Sequence, residues 1–168
     1  MGRYDGEWRL GKADGYGSRM FANGDHHEGI YKAGKQHGFG TYRWENGDYF
    51  EEEWFEGKTC GSGLKRMANN DSFEGEWFDG MAHGSGMKVF HRGDIYIGNF
   101  QHGEHNGRGV YKYSNGDEFD GMWQNGRQAG TRIYHFAVSG ATFEGQWEDG
   151  QIHGTGYYKI SGKVFVEY

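Results

Sequence analysis

The sequence predicts an all-β fold, an elongated, twisted, single-layer antiparallel β-meander made of tandem hairpins. Three observations carry this: a period of 23 residues, alternation of aromatic and glycine within each period, and turn residues at fixed places. The 168 residues include 33 Gly, 12 Tyr, 12 Phe and 6 Trp but no Pro, and 35% are hydrophobic. Glycine at this level also occurs in collagen and in disordered chains. Collagen is excluded because proline is missing and glycine does not fall at every third position. Disorder is opposed by the 18% aromatic content, since each ring buries ~150–250 Å² on folding.

Each period opens on a strand. Tyr4-Asp5-Gly6-Glu7-Trp8 is echoed at His27–Tyr31, Phe50–Trp54, Phe73–Trp77, Tyr96–Phe100, Phe119–Trp123 and Phe143–Trp147. The starts fall at 4, 27, 50, 73, 96 and 119, each 23 after the last, and then at 143. Aromatic, glycine and aromatic share one face, with polar residues such as Asp5 and Glu7 on the other, the period of two that marks a strand. A turn follows at Gly11, Gly34, Gly57, Gly80, Gly103, Gly126 and Gly150, where a left-handed backbone is expected. The second strand opens with Gly-x-Gly, as in Gly38-Phe39-Gly40, and ends at Asn-Gly-Asp (23–25, 46–48, 115–117), a strong hairpin signal. Short turns at both ends make successive strands antiparallel neighbours. At ~4.8 Å per strand, some fifteen strands give a rod of roughly 70 Å. Paired glycines leave room for a ring to lie across the backbone, so a single layer acquires a core by stacking aromatics from repeat to repeat.

The run Tyr-x-Gly-x-Trp-x-x-Gly-x-x-His-Gly-x-Gly, followed by Asn-Gly-Asp, resembles the membrane occupation and recognition nexus (MORN) repeat. Phe73–Gly86 and Phe143–Gly156 match it nearly position for position. The resemblance extends over residues 1–168 as a single array and implies a twisted antiparallel sheet with a scaffolding or interaction role. Phe165-Val166-Glu167-Tyr168 reads as an eighth opening strand, so a fragment of a longer array, a homodimer joined through the C-terminal units, or both are expected. Repeat-only members of this kind further imply a cytoplasmic, cytoskeleton-associated protein.

Composition narrows the function classes. A net charge of −6 opposes nucleic-acid and anionic-membrane affinity. The single Cys60 permits no internal disulfide and fits a reducing compartment. No apolar run reaches the ~20 residues of a membrane helix, and no signal peptide is expected. Met1-Gly2 is not a myristoylation signal, because position 6 is glycine. No catalytic arrangement is found. Serine is never set with His and Asp, and Gly-x-Gly lies in a hairpin with no helix after it, so an enzyme and a cofactor are not expected. Acidic residues on the first strands (Glu7, Glu28, Glu51, Glu53, Glu74, Glu76, Asp120, Glu144) face cations on the second (Arg19, Arg43, Lys65, Arg66, Lys88, Lys112, Lys159), predicting cross-strand ion pairs. His37, His83, His153 and Cys60 form one column, but at about 10 Å spacing they do not share a metal, leaving zinc only across a dimer.

Binding is therefore the expected activity. The candidate aromatic face is Tyr4, Trp8, Tyr31, Trp54, Trp77, Phe100, Trp123 and Trp147. Departures from the pattern mark further candidates: Glu52 in place of glycine, Arg132 in place of the second glycine after Gly130, and one extra residue between Arg132 and Thr142. Around them, Arg132, Tyr134, Phe136, Phe143, Phe165 and Tyr168 are the candidate dimer or partner contacts. A phospholipid-binding module and a regulatory region of a larger enzyme are the alternatives.

Overall fold

The computed structural model describes residues 2–148 and 151–167. Its strands are β1 (Arg3–Arg9), β2 (Lys12–Met20), β3 (His26–Lys32), β4 (Lys35–Arg43), β5 (Tyr49–Phe55), β6 (Lys58–Arg66), β7 (Ser72–Phe78) and β8 (Met81–Val89). These are followed by β9 (Ile95–Gln101), β10 (Glu104–Lys112), β11 (Glu118–Gln124), β12 (Arg127–Phe136), β13 (Ala141–Glu148), β14 (Gln151–Ile160) and β15 (Lys163–Glu167). They form one antiparallel sheet in chain order, with no helix among the described residues, as the sequence predicts. Two compact units divide the chain, one ending at Ala82 and the other beginning at His83.

Two kinds of link join the strands. Within a repeat the turn is two residues long and both are left-handed, as at Leu10 (φ 48°) and Gly11 (φ 73°). This is the turn whose twist matches that of the flanking strands. Only its second residue is legible as a glycine, since the first is Leu, Ala, Glu, Asp, His or Asn. The expected turn glycine Gly150 lies outside the described residues.

The Asn-Gly-Asp links differ from the two-residue hairpin that Asn-Gly ordinarily signals. In the first, only Gly24 is left-handed (φ 90°); its N–H donates to Phe21 O at 3.1 Å, and Phe21 N–H donates to Asp25 O at 2.8 Å. The aspartate then ties one repeat to the next. Asp25 accepts Tyr42 OH at 2.8 Å and Glu45 N–H at 3.0 Å. Asp94 accepts Tyr111 OH and Ser114 N–H, and Asp117 accepts Tyr134 OH and Ala137 N–H. Asp48 takes Ala68 N–H and pairs with Lys65 in place of a tyrosine. Hydrogen bonds to Tyr42, Glu45 and Asn23 hold the Asp25 carboxyl below its ordinary range, against the effect of burial.

One face of the sheet is the core. Its first-strand rings are almost inaccessible, Tyr96 and Phe119 being 0% exposed. The opening rings Tyr4, His27, Tyr96 and Phe143 each lie over a pair of glycines on adjacent strands: a Cβ at Gly98 or Gly109 would overlap Tyr96, and one at Gly156 would overlap Phe143. The ring also meets the closing aromatic of the following repeat edge-on. Tyr4–Tyr31 (5.0 Å), His27–Trp54 (5.4 Å) and Phe50–Trp77 (4.5 Å) form this series in the first unit. In the second it is Tyr96–Trp123 (5.2 Å) and Phe119–Trp147 (5.4 Å). Such pairs contribute about 0.5–1.5 kcal/mol each beyond area burial.

The glycines therefore differ in cost when replaced. Gly109→Ala places a methyl group inside the Tyr96 ring and is expected to destabilise by about 3 kcal/mol. Gly126→Ala has open space at its Cβ and meets only left-handed strain, about 1 kcal/mol. Urea denaturation of the two variants checks this; equal losses would contradict the ring-over-glycine packing.

Candidate protein-binding surface

The structure places most of the sequence-predicted aromatic residues in the core. Tyr31, Trp54, Trp77, Phe100 and Trp123 are buried, Tyr4 and Trp147 are half-buried, and Trp8 is exposed. Trp77 and Trp123 donate their indole N–H to Gly63 O and Gly109 O, each at 3.2 Å. Five of these eight rings thus pack against the array itself, leaving Trp8 as the open member. Among the C-terminal candidates, Phe143 is buried, and Tyr134 stacks on Trp147 while its hydroxyl serves Asp117. Phe136 stacks on Tyr158 at 6.0 Å, Phe165 is exposed, and Tyr168 lies outside the described residues.

The expected cross-strand ion pairs are largely replaced by another arrangement. Arg19, Lys65 and Lys88 point to the core face, where they lie over rings: Arg19 over Tyr4, Phe21 and Tyr31, Lys65 over Trp44, Lys88 over Phe90. The period of two dictates this, because Arg19 and Arg43 occupy different steps of their repeats. Arg108–Asp120 (3.4 Å) and Lys112–Glu118 (3.3 Å) are outer-face pairs of the expected kind. Elsewhere on that face Glu28 accepts a hydrogen bond from Tyr16 (2.6 Å), and Glu51 accepts one from Tyr49.

The outer face changes character between the units. Across the first, strand partners run Ser18, Glu28, Thr41, Glu51, Leu64, Glu74, alternately acidic and small or polar but for Leu64. Across the second, the same row reads Met87, Ile97, Val110, Asp120, Ile133, Glu144, Tyr157, Val166. Met87, Ile97, Ile133, Tyr157 and Val166 are between 37% and 52% exposed. Neighbouring apolar side chains in a row are the signature of a contact surface. The row is readable in the sequence only once register and bulges are known, because its members lie one per strand.

The two departures from the glycine column share a solution. Glu52 is 0% exposed, and its Cγ lies over Gly63, taking the place of a ring. Arg132 similarly runs over Gly121 and donates to Thr131 O, with its Nε unpartnered. Both Glu52 carboxyl oxygens and the Thr59 hydroxyl lack hydrogen bonds. Burial pushes the Glu52 carboxyl up to about 9, the Lys65 charge opposing only in part, so it is neutral at pH 7. Burial likewise pushes His27 and His105 down to about 4; His27 bonds Tyr31 OH (2.7 Å), and His105 stacks on Tyr96 at 3.7 Å.

In the column of His37, Cys60, His83 and His153, His37 packs on Phe55 and His83 on His102. Among the described residues no three His, Cys, Asp or Glu side chains converge on a metal-sized site. Among the described residues no helix is long and apolar enough to cross a membrane.

A family model, the MORN repeat, matches residues 4–26, 27–49, 53–72, 73–95, 96–118 and 143–161. The match omits 50–52 and 119–142, the stretches that hold Glu52 and Arg132. No curated protein matches the sequence. Among solved structures, the fold is similar to the SAS-4 (dCPAP) TCP domain of Drosophila melanogaster in complex with a proline-rich motif of Ana2 (dSTIL). The TM-score is 0.63 at 13% identity, covering 99% of this chain and 89% of that one. It is also similar to the TCP10 domain of Danio rerio CPAP with a peptide of STIL (0.58, 14%, 91% and 68%). The TCP10c domain of Drosophila melanogaster Sas-4 gives 0.57 at 13% identity, covering 100% and 99%.

Glu52 sets a pH dependence. Its folded value lies above its unfolded one, so the folded state retains a proton that the unfolded chain releases, and stability falls as pH rises from about 4.5 to about 9. The slope is at most about 1.4 kcal/mol per pH unit. His27 and His105 act on the acid side, removing stability as pH falls from 6.5 toward 4. Melting temperatures recorded from pH 5 to 9 are expected to decline on the alkaline side in the native protein and to level off in Glu52→Gln. An unchanged alkaline slope in that variant would remove Glu52 as its source.

Proposed function

Because the chain belongs to the MORN repeat family, we propose that it is a non-enzymatic protein-binding scaffold that self-associates through the outer face of its second unit and works in a cytoskeletal assembly. The observation that carries this is the row Met87, Ile97, Val110, Ile133, Tyr157 and Val166, apolar side chains on a rigid sheet with no layer over them. A second copy is a natural occupant, since a twofold axis brings the same patch onto itself. The row also runs into the C-terminal units, where the repeat departs from its pattern. Protein binding has independent support in the fold: two of the similar structures hold a partner's peptide, and one of those peptides is a proline-rich motif. A role in centriole elongation is suggested for a further similar structure, the CPAP G-box domain (TM-score 0.53, 13% identity), and supports the cytoskeletal setting. Lipid binding is less favoured, because the chain carries −6 net charge and lacks the cluster of roughly 4–8 cations that anionic membranes attract.

Light scattering across a concentration series tests the reading. The native protein is expected to approach the mass of a dimer. Ile97→Glu with Ile133→Glu is expected to weaken self-association roughly tenfold or more, with melting little changed, because both side chains face solvent in the single chain. A native protein that stays monomeric at high concentration would overturn the self-association.

A further inference from the structure

The outer face of the first unit holds two continuous depressions that none of the comparisons assigns. One, about 560 Å³, lies between Tyr16, Phe39 and Arg43 above Gly29 and Gly40. The other, about 540 Å³, lies between Arg43, Arg66 and the Gly47 and Asn70 turns. Arg43, Tyr49 and Glu51 line both, so the two form one groove. One end is apolar, with Phe39 68% and Tyr16 56% exposed. The other end is cationic. Arg43, Tyr49 and Arg66 are direct partners on adjacent strands, which sets the two arginines about 10 Å apart with the tyrosine between them.

The charges in the groove are unevenly committed. Glu28 is held by Tyr16, and Glu51 by Tyr49. The Arg43 guanidinium lies over the Tyr49 ring, 4.6 Å from its centre. Neither Arg43 nor Arg66 makes an ion pair among the described residues, although the chain as a whole carries more acids than bases. An arginine stacked on an aromatic presents its fork of N–H donors outward, suited to a carboxylate.

We propose that this groove receives an extended segment of a partner protein, with an apolar side chain against Phe39 and Tyr16 and an acidic side chain between Arg43 and Arg66. The spacing follows from the strand. Phe39 and Arg43 are four residues apart on β4, about 13 Å, so the two anchors of an extended ligand are about four residues apart. A peptide fits better than a membrane surface, because the groove joins an apolar end to only two arginines, short of the roughly 4–8 cations that anionic membranes attract. The site rests on the protein-binding reading but uses a different face segment from the self-association row.

Fluorescence anisotropy with labelled peptides of roughly ten residues tests it, each carrying one leucine and, four positions on, Glu, Gln or Lys. The Glu peptide is expected to bind at least about tenfold more tightly than the Gln peptide, and more weakly as salt is raised. Arg43→Gln with Arg66→Gln is expected to abolish the Glu preference, whereas Phe39→Ser weakens all three peptides. Circular dichroism confirms that these exposed variants keep the fold. Equal binding of Glu and Gln peptides, or a Glu preference surviving in the double arginine variant, would overturn the acidic clamp while leaving protein binding in place. Failure of all three peptides, with arginine-dependent capture of phosphoinositide vesicles, would overturn it in favour of a lipid. The light-scattering experiment separately decides the self-association on which the broader reading stands.

Discussion

A ring laid across two glycines is the contact on which the regular repeats depend. Tyr96 can reach the backbone of Gly98 and Gly109 only because neither carries a Cβ. From that position its edge meets Trp123, the closing aromatic of the following repeat, and Trp123 in turn donates to Gly109 O. Neighbouring repeats are thereby joined through a ring, a backbone gap and an indole N–H at one place. The Asp117 carboxylate adds a second tie on the same pair of repeats, through Tyr134 and Ala137. A sheet one layer thick has no opposing layer to supply a core, so its stability comes from repeat-to-repeat contacts of this kind.

That requirement separates the two faces by role. The core face is filled by its own rings, and the cations that reach it, Arg19, Lys65 and Lys88, lie over aromatic rings. The outer face carries only side-chain pairs such as Tyr16–Glu28 and Arg108–Asp120, and no aromatic core depends on its composition. Acids and small polar residues along the row in the first unit give way to Met, Ile, Val and Tyr in the second, with the strand geometry kept. A surface that changes while its scaffold does not is where specificity is placed on such an array.

Much of the fold was legible in the sequence because its determinants are local and repeated seven times. The period of 23, the alternation and the turn glycines each required only neighbours in the chain. Three features were not legible in that way. The tie from Asp25 to Tyr42 and Glu45 joins residues 17 and 20 positions apart and is invisible until two repeats are set side by side. The core location of Arg19 against the outer location of Arg43 follows from strict alternation, yet both belong to a second strand that carries a bulge. There β4 shifts register against β3 between Gly29 and Tyr31, at the left-handed Gly38. The outer apolar row escaped notice because its members are spread one per strand over a long stretch of sequence. Residues chosen for being aromatic turned out to be mostly those the core consumes.

The exceptions to the glycine column show how far the central contact can be altered. At Glu52 and Arg132 the side chain rises from the column itself and covers the partner glycine, Gly63 or Gly121, that a ring would otherwise cover. Each substitutes aliphatic carbon for aromatic carbon, so the gap is filled without moving the strands. Each also brings a polar end into a place with few partners: two carboxyl oxygens at Glu52 and one guanidinium nitrogen at Arg132. Glu52 meets this by remaining protonated, Arg132 by reaching the Thr131 carbonyl. The packing role of the column is thus a matter of filled volume, while its polarity is tunable, and a repeat can acquire a titratable group in its core without losing its place in the sheet.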